Sequence, residues 1–216
     1  MSPEGPKPGE PGHRSPELAD LRRVTDARTL RALAHPVRIA LIETLTVYGP
    51  MTATEAGERI GESPTTCSFH LRQLAKYGFV EEAGGGKGRS RPWRITRVGL
   101  TIDFADEDPE AEVASMALTR MWRERALARY RTWLETSAAY PRRWRDAATD
   151  SEFVFYFTVE ELEQLREELM ALLLPRYVER LTDPSSRPAA AVPVEMLLFA
   201  WPREMPADGP PAGGDG

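Results

Sequence analysis

The stretch from Thr52 to Gly78 is punctuated so closely that it leaves the backbone few alternatives. Thr52-Ala53-Thr54-Glu55 has the spacing of a capping box, in which the threonine caps a helix and the glutamate reaches back to the cap. That helix runs through Ile60 and stops at Gly61. Ser63 then caps the next helix, with Pro64 at its first position, where a missing N–H costs nothing. Cys67, Leu71 and Leu74 follow at i, i+4 and i+7, which puts them on one buried stripe, and Gly78 is a natural stop after Tyr77. Two short helices separated by one tight turn therefore lie in the middle of the chain's first half.

The flanks extend the pattern. Leu30, Leu33 and Ala34 recur at helical spacing; His35-Pro36 interrupts them and starts a second helix carrying Ile39, Ile42 and Leu45, which Gly49-Pro50 ends. After Gly78, residues 79–82 and 91–96 read as two short extended stretches around Gly84-Gly85-Gly86-Lys87-Gly88, a hairpin with a loose tip. Helix, helix, helix–turn–helix and hairpin in this order form the winged-helix pattern, with the hairpin as the wing.

The second half differs. Asp103, Asp106, Glu107, Asp108, Glu110 and Glu112 form an acidic linker into a helix from about Pro109 to Tyr140, free of internal proline and glycine. Some 32 residues make ~48 Å of helix. Phe153-Val154-Phe155-Tyr156-Phe157 reads as a buried strand, and Thr158-Val159-Glu160-Glu161 is a second capping box. The helix it opens carries Leu162, Leu165, Leu169, Leu172 and Leu173 on one face, and Val192 to Trp201 reads as a strand able to pair with 153–157. The expected class is mainly α with small β: a winged helix-turn-helix domain at 18–102, a linker and long dimerisation helix at 103–148, and a small α/β region at 149–204. Residues 1–17 and 205–216, rich in proline and glycine, are expected to be disordered.

Composition sets outer limits. The 216 residues include 41% apolar and 28% charged side chains, as in ordinary globular chains. A single cysteine excludes an intrachain disulfide or a multi-cysteine metal site and suits a reducing compartment. No apolar run approaches ~18 residues and no secretory signal opens the chain, so a cytoplasmic protein without membrane contact is expected. The glycines at 84–88 match neither a phosphate-binding nor a dinucleotide motif, and no nucleophile–base arrangement is legible. No enzyme, cofactor or metal is expected.

Charge is unevenly placed. Residues 63–102 hold seven bases (Arg72, Lys76, Lys87, Arg89, Arg91, Arg94 and Arg97) against Glu81 and Glu82, a surplus of +5 inside a chain whose formal net charge is −5. A charge run alone is most often a solvated surface. Here it coincides with the second helix of the helix–turn–helix and with the glycine-rich wing, the footprint of phosphate contact. Thr65, Thr66, Ser68, Phe69, Arg72 and Gln73 lie off the apolar stripe. Hydroxyls, amides and Arg suit base edges, and Phe69 suits either a thymine methyl or a gap in the protein body. Thr52 and Thr54 can offer hydroxyl and N–H groups to phosphate, with Lys87, Arg89 and Arg91 seating the wing.

Residues 26–97 resemble the ArsR/SmtB-type winged-helix regulators. The resemblance rests on Leu33-Ala34-His35-Pro36-Val37-Arg38, on Ser63 to Leu74 (Ser-Pro-Thr-Thr-Cys-Ser-Phe-His-Leu-Arg-Gln-Leu), and on Tyr77-Gly78-Phe79-Val80. It implies a dimeric bacterial transcription factor that binds operator DNA, commonly a repressor released by an effector. Thr65, Thr66, Ser68, His70 and Arg72 inherit the DNA-facing role; Ser63 and Lys76 flank them. Metal-sensing members carry a Cys pair on the helix before the recognition helix, or Asp and His on a terminal helix. This chain has Thr54-Glu55-Ala56-Gly57-Glu58-Arg59 at the first position, and its Cys67 falls on the apolar stripe. A buried, unreactive thiol is expected there, and no metal ligand set.

Leu118, Met121, Trp122, Ala126 and Trp133 form a broad apolar stripe on the long helix, which a second copy or the chain's own C-terminal strands must cover. Leu118, Trp122, Ala126 and Trp133 are the expected dimer contacts. The aromatic C-terminal half admits two further readings: a small-molecule effector pocket among Trp133, Trp144, Phe155, Phe157 and Trp201, or a surface that docks a protein partner.

Overall fold

The computed structural model describes residues 22–84, 91–97, 100–102 and 108–204. The expected tails at 1–17 and 205–216, and most of the acidic linker, lie outside the described residues. The elements in chain order are β1 (Arg22–Val24), α1 (Ala27–Leu33), α2 (Pro36–Tyr48), α3 (Ala53–Ile60), α4 (Pro64–Lys76), β2 (Val80–Glu82), β3 (Trp93–Ile95), β4 (Leu100–Ile102), α5 (Pro109–Thr136), α6 (Arg142–Ala147), α7 (Val159–Tyr177) and α8 (Glu179–Thr182).

Local side-chain chemistry sets most helix starts. Asp26 caps α1 by accepting the Thr29 N–H at 2.8 Å, and His35 caps α2 through Nδ1, which accepts the Val37 N–H at 3.2 Å. The Thr52 hydroxyl accepts the Glu55 N–H at 3.3 Å while Glu55 accepts the Thr52 N–H at 2.7 Å, so the capping box on α3 is complete. The same box forms between Thr158 and Glu161 on α7. Gly61 ends α3 at φ 74°, a left-handed conformation that side chains with a Cβ rarely adopt.

The core lies where α1, α2, α4 and the start of α5 meet. Leu30, Leu33, Ile39, Leu41, Leu45, Cys67, Leu71, Leu74, Val80 and Leu118 are all essentially inaccessible within one cluster. Each buried leucine contributes about 1.5–3 kcal/mol relative to exposure. The mainly α, winged helix-turn-helix class is the observed one. β2 and β3 pair antiparallel with Val80 opposite Ile95, forming the stem of the wing. β1 and β4 form a second, parallel pair with Arg22 opposite Leu100, which local sequence pattern does not announce.

Three expectations about the second half are corrected. The long helix stops at Thr136, after 28 residues, and passes through a 3-10 turn, Ser137–Ala139, into α6. Pro141 forces Tyr140 into an extended conformation (ψ 147°), and the hydroxyls of Thr132 and Thr136 bond back to the carbonyls of Ala128 and Thr132, loosening the last turns. The runs 153–157 and 192–201 are not strands and do not pair; both are exposed, without a ladder partner among the described residues. The region from 149 to 204 is therefore α7, α8 and extended chain, with no sheet among its described residues.

The C-terminal segment is nevertheless fastened to the body. Glu43 on α2 accepts from Arg125 at 2.8 Å and from Arg129 at 3.1 Å, and Arg129 also donates to Glu195 at 2.6 Å. Arg187 donates to the Val47 carbonyl at 3.3 Å, and Tyr130 donates to Asp150.

Candidate nucleic-acid interface

The amphipathic pattern of α4 separates its roles. Cys67, Leu71 and Leu74 face the core, while Thr65, Phe69, Arg72 and Lys76 are exposed and Ser68 and Gln73 are partly so. Phe69 stands 52% exposed, so of its two sequence readings it does not close a gap in the body. At the helix start the Ser63 hydroxyl accepts the Thr66 N–H at 3.0 Å and hydrogen-bonds the Thr66 hydroxyl at 2.8 Å. Those two hydroxyls, like that of Thr52 (2.8 Å to Glu55), are engaged in capping; Thr54 projects freely.

A cleft of about 300 Å³ joins these elements, lined by Thr52, Ala53 and Thr54 at the start of α3, Ser68 and Arg72 on α4, and Glu82, Arg91 and Trp93 on the wing stem. Five residues singled out from sequence (Thr52, Thr54, Ser68, Arg72 and Arg91) thus converge. Trp93 and Glu82 were not anticipated. Trp93 holds the wing in place: its carbonyl accepts the Met51 N–H at 3.0 Å and its N–H reaches the Met51 carbonyl at 2.8 Å. Met51, one buried residue between Pro50 and Thr52, makes a single-residue antiparallel bridge to the wing stem and ties it to the start of α3.

Electrostatics on the stem are balanced. Arg91 pairs with Glu82 at 2.6 Å, which raises its pKa, and Arg94 pairs with Glu81 at 2.7 Å. Among the described residues no ion pair involves Arg72 or Lys76, so α4 carries the uncompensated charge of the cleft side. Lys87 and Arg89 lie outside the described residues.

His70 is a correction. It lies three residues after Cys67 and four before Leu74, on the inward stripe, and is 9% exposed with its ring against His35. It does not face outward with Thr65, Ser68 and Arg72. Cys67 is fully buried, and burial raises its thiol pKa. Among the described residues, no three His, Cys, Asp or Glu side chains gather so as to hold a metal ion.

The stripe assigned to α5 also needs correction. Leu118 (0% exposed) and Ala126 (2%) are buried within the chain itself, and α1 covers the first half of the helix. Trp122 and Trp133 are half-buried. The apolar residues left open on α5 are Val113, Met116, Leu127 and Leu134. Among the described residues no helix is long and apolar enough to cross a membrane.

The family model described as a helix-turn-helix domain matches residues 33–83, from the end of α1 into the wing. No curated protein matches the chain. Among solved structures, the transcriptional repressor BigR from Xylella fastidiosa is 29% identical, over 43% of this chain and 79% of its own, with a TM-score of 0.29. A possible transcriptional regulator for arsenical resistance is 27% identical over 49% of this chain and 96% of its own (TM-score 0.29). A MarR family regulator from Neisseria meningitidis is 18% identical over 64% of this chain and 72% of its own (TM-score 0.30). The chain carries a winged helix-turn-helix domain, as its own element order and the domain match at 33–83 agree.

Proposed function

We propose that this protein is a sequence-specific, DNA-binding transcriptional regulator, a homodimer of the ArsR-like type without the metal site, acting as a repressor in the cytoplasm. The observation that carries the reading is the exposed polar face of α4, with uncompensated Arg72 and Lys76, beside a cleft shared with the start of α3 and the wing. A helix of this kind enters the major groove and reads base edges, while wing and helix N-termini seat on phosphates.

In this reading Thr65, Ser68, Phe69, Arg72 and Gln73 meet bases. Thr54, Lys76, Lys87, Arg89 and Arg91 meet the backbone, and Thr52, Ser63 and Thr66 contribute N–H groups of the helix starts, their hydroxyls being engaged in caps. His70 is left out. One α4 supplies only a few base contacts of ~1–3 kcal/mol each, so operator-level discrimination calls for two copies on half-sites about one DNA turn apart. The open face of α5, with Val113, Leu127 and Leu134 in heptad register and Met116 beside them, supports a dimer contact there.

The test is selection of bound sites from random duplex DNA by the full chain. A two-fold symmetric motif with half-sites ~10 base pairs apart is expected. Recovery of unselected sequence would overturn the reading in favour of a winged-helix module that docks a protein partner.

A further inference from the structure

Two exposed runs of the C-terminal region are rich in the β-branched and aromatic side chains of strands and have no ladder partner among the described residues. In 153–157 the rings of Phe153, Phe155 and Phe157 follow one another along one side, with centroids 5.5 and 5.9 Å apart, as alternate residues do on one face of a strand. Val154 and Tyr156 take the other side, and Tyr156 is 99% exposed. In 192–201, Val192, Val194, Met196, Leu198, Phe199 and Trp201 are exposed as well. Glu195 is the one charged residue of the two runs, and Arg129 neutralises it. Among the described residues no backbone hydrogen bond joins either run to another segment.

Unpaired, neutral, aromatic-rich edges do not persist in water; they are templates for pairing. We infer that the two runs pair between copies of this chain: 153–157 of one protomer adds to 192–201 of its partner, and the reverse, closing a dimer through a shared sheet. The run 192–201 is a fixed template, since Glu195 is bound by Arg129 and Phe199 lies 5.1 Å from the Arg123 guanidinium, both on α5. The run 153–157 is the added strand: among the described residues it forms no ladder and no backbone hydrogen bond with any segment of its own chain. Each protomer presents one strand to give and one edge to receive, so a two-fold arrangement satisfies both and closes the exchange at two copies. The area also fits. Phe153, Phe155, Tyr156, Phe157, Phe199 and Trp201 average roughly two-thirds exposure, and at ~200 Å² per ring they offer about 800 Å² per protomer, each partner's share of a stable interface. Arg129 bridges this template to Glu43 on α2, so the shared sheet is held in register with the helix-turn-helix domain.

The inference rests on the homodimer reading, though not on DNA binding, and the test separates it from a contact along α5. Tyr156→Cys and Val194→Cys are placed singly on differently tagged full-length chains, mixed and mildly oxidised; Cys67 is fully buried and stays silent. The expected product is a disulfide joining one chain of each kind, with little joining like to like. In parallel, sedimentation equilibrium compares wild type, Phe155→Asp and Leu127→Glu, all changed at exposed positions. A dimer weakened at least ~100-fold by Phe155→Asp is expected. A monomeric wild type, or an unchanged dimer in Phe155→Asp, would overturn the inference. If Leu127→Glu alone dissolves the dimer, the α5 contact stands and the shared sheet falls. A double variant that cross-links within one chain as readily as between chains contradicts strand exchange as well.

Discussion

The rings of His35 and His70 lie 4.4 Å apart, joining the cap of α2 to the inward face of α4. Charge is disfavoured on both rings. His35 uses Nδ1 to accept the Val37 N–H, and His70 Nδ1 is buried with no partner among the described residues. Among the described residues the positive charge of Arg38 acts on both imidazoles, and the negative charge of Glu62 opposes it. Burial first, then Arg38 at His35 and the other imidazole together with Arg38 at His70, holds both pKa values below the ordinary 6.5. The unfolded chain therefore binds more protons than the folded one below that value. Stability is full above pH about 6.5 and drains away as pH falls through the depressed folded values. Urea midpoints measured from pH 7.5 to 5 are expected to fall, and less steeply in His70→Gln; a flat profile would contradict this account of the pair.

Gly57 sits where α3 passes the turn before α4. A Cβ there would stand 2.5 Å from the Glu62 carbonyl oxygen and 3.6 Å from the Cys67 sulfur. Backbone cannot yield as a side-chain tip can, so Gly57→Ala should lose about 1–3 kcal/mol despite the better helix propensity of alanine. Chemical denaturation checks this, with the exposed Glu58→Ala as the reference that should change little.

Glu43 is mostly buried between Arg125 and Arg129, whereas Glu195, the other partner of Arg129, is 42% exposed at its side chain. Removing the buried carboxylate leaves two guanidinium groups facing each other. Glu43→Gln should therefore cost about 1–3 kcal/mol and exceed the loss from Glu195→Gln, a solvent-screened pair. Equal losses in thermal or urea unfolding would contradict this ranking.

The wing is expected to seat on phosphates. Lys87→Ala or Arg89→Ala should weaken all duplexes alike and lower the salt slope by ~1 per lost contact. Arg72→Glu, in contrast, should weaken the selected site far more than the same reversal at Arg166, exposed on α7 and away from the cleft. Gel-shift titrations across salt concentrations distinguish the two behaviours.

What the chain disclosed in sequence was what depends on near neighbours. The caps at Asp26 aside, Thr52–Glu55, Ser63-Pro64, His35-Pro36 and Thr158–Glu161 are interactions over three residues or fewer, and they fall where residue type and spacing put them. The burial of His70 was also legible, since its spacing from Cys67 and Leu74 belongs to the inward stripe; the motif position taken from the resemblance argued the other way and misled. Pairing over distance was not legible. Nothing near Arg22 announces Leu100, nor anything near Met51 its bond to Trp93. The apolar stripe of α5 was visible, but not that α1 would cover Leu118. The runs at 153–157 and 192–201 have the side chains of strands; a strand also needs a partner ladder, which side-chain composition does not supply.

The most direct test of the central claim is the affinity of the full chain for its selected duplex against a shuffled duplex of the same composition, both at physiological salt. A sequence-reading α4 predicts a ratio of at least ~10³, collapsing toward unity in Arg72→Glu. Equal affinity for the two duplexes would contradict it.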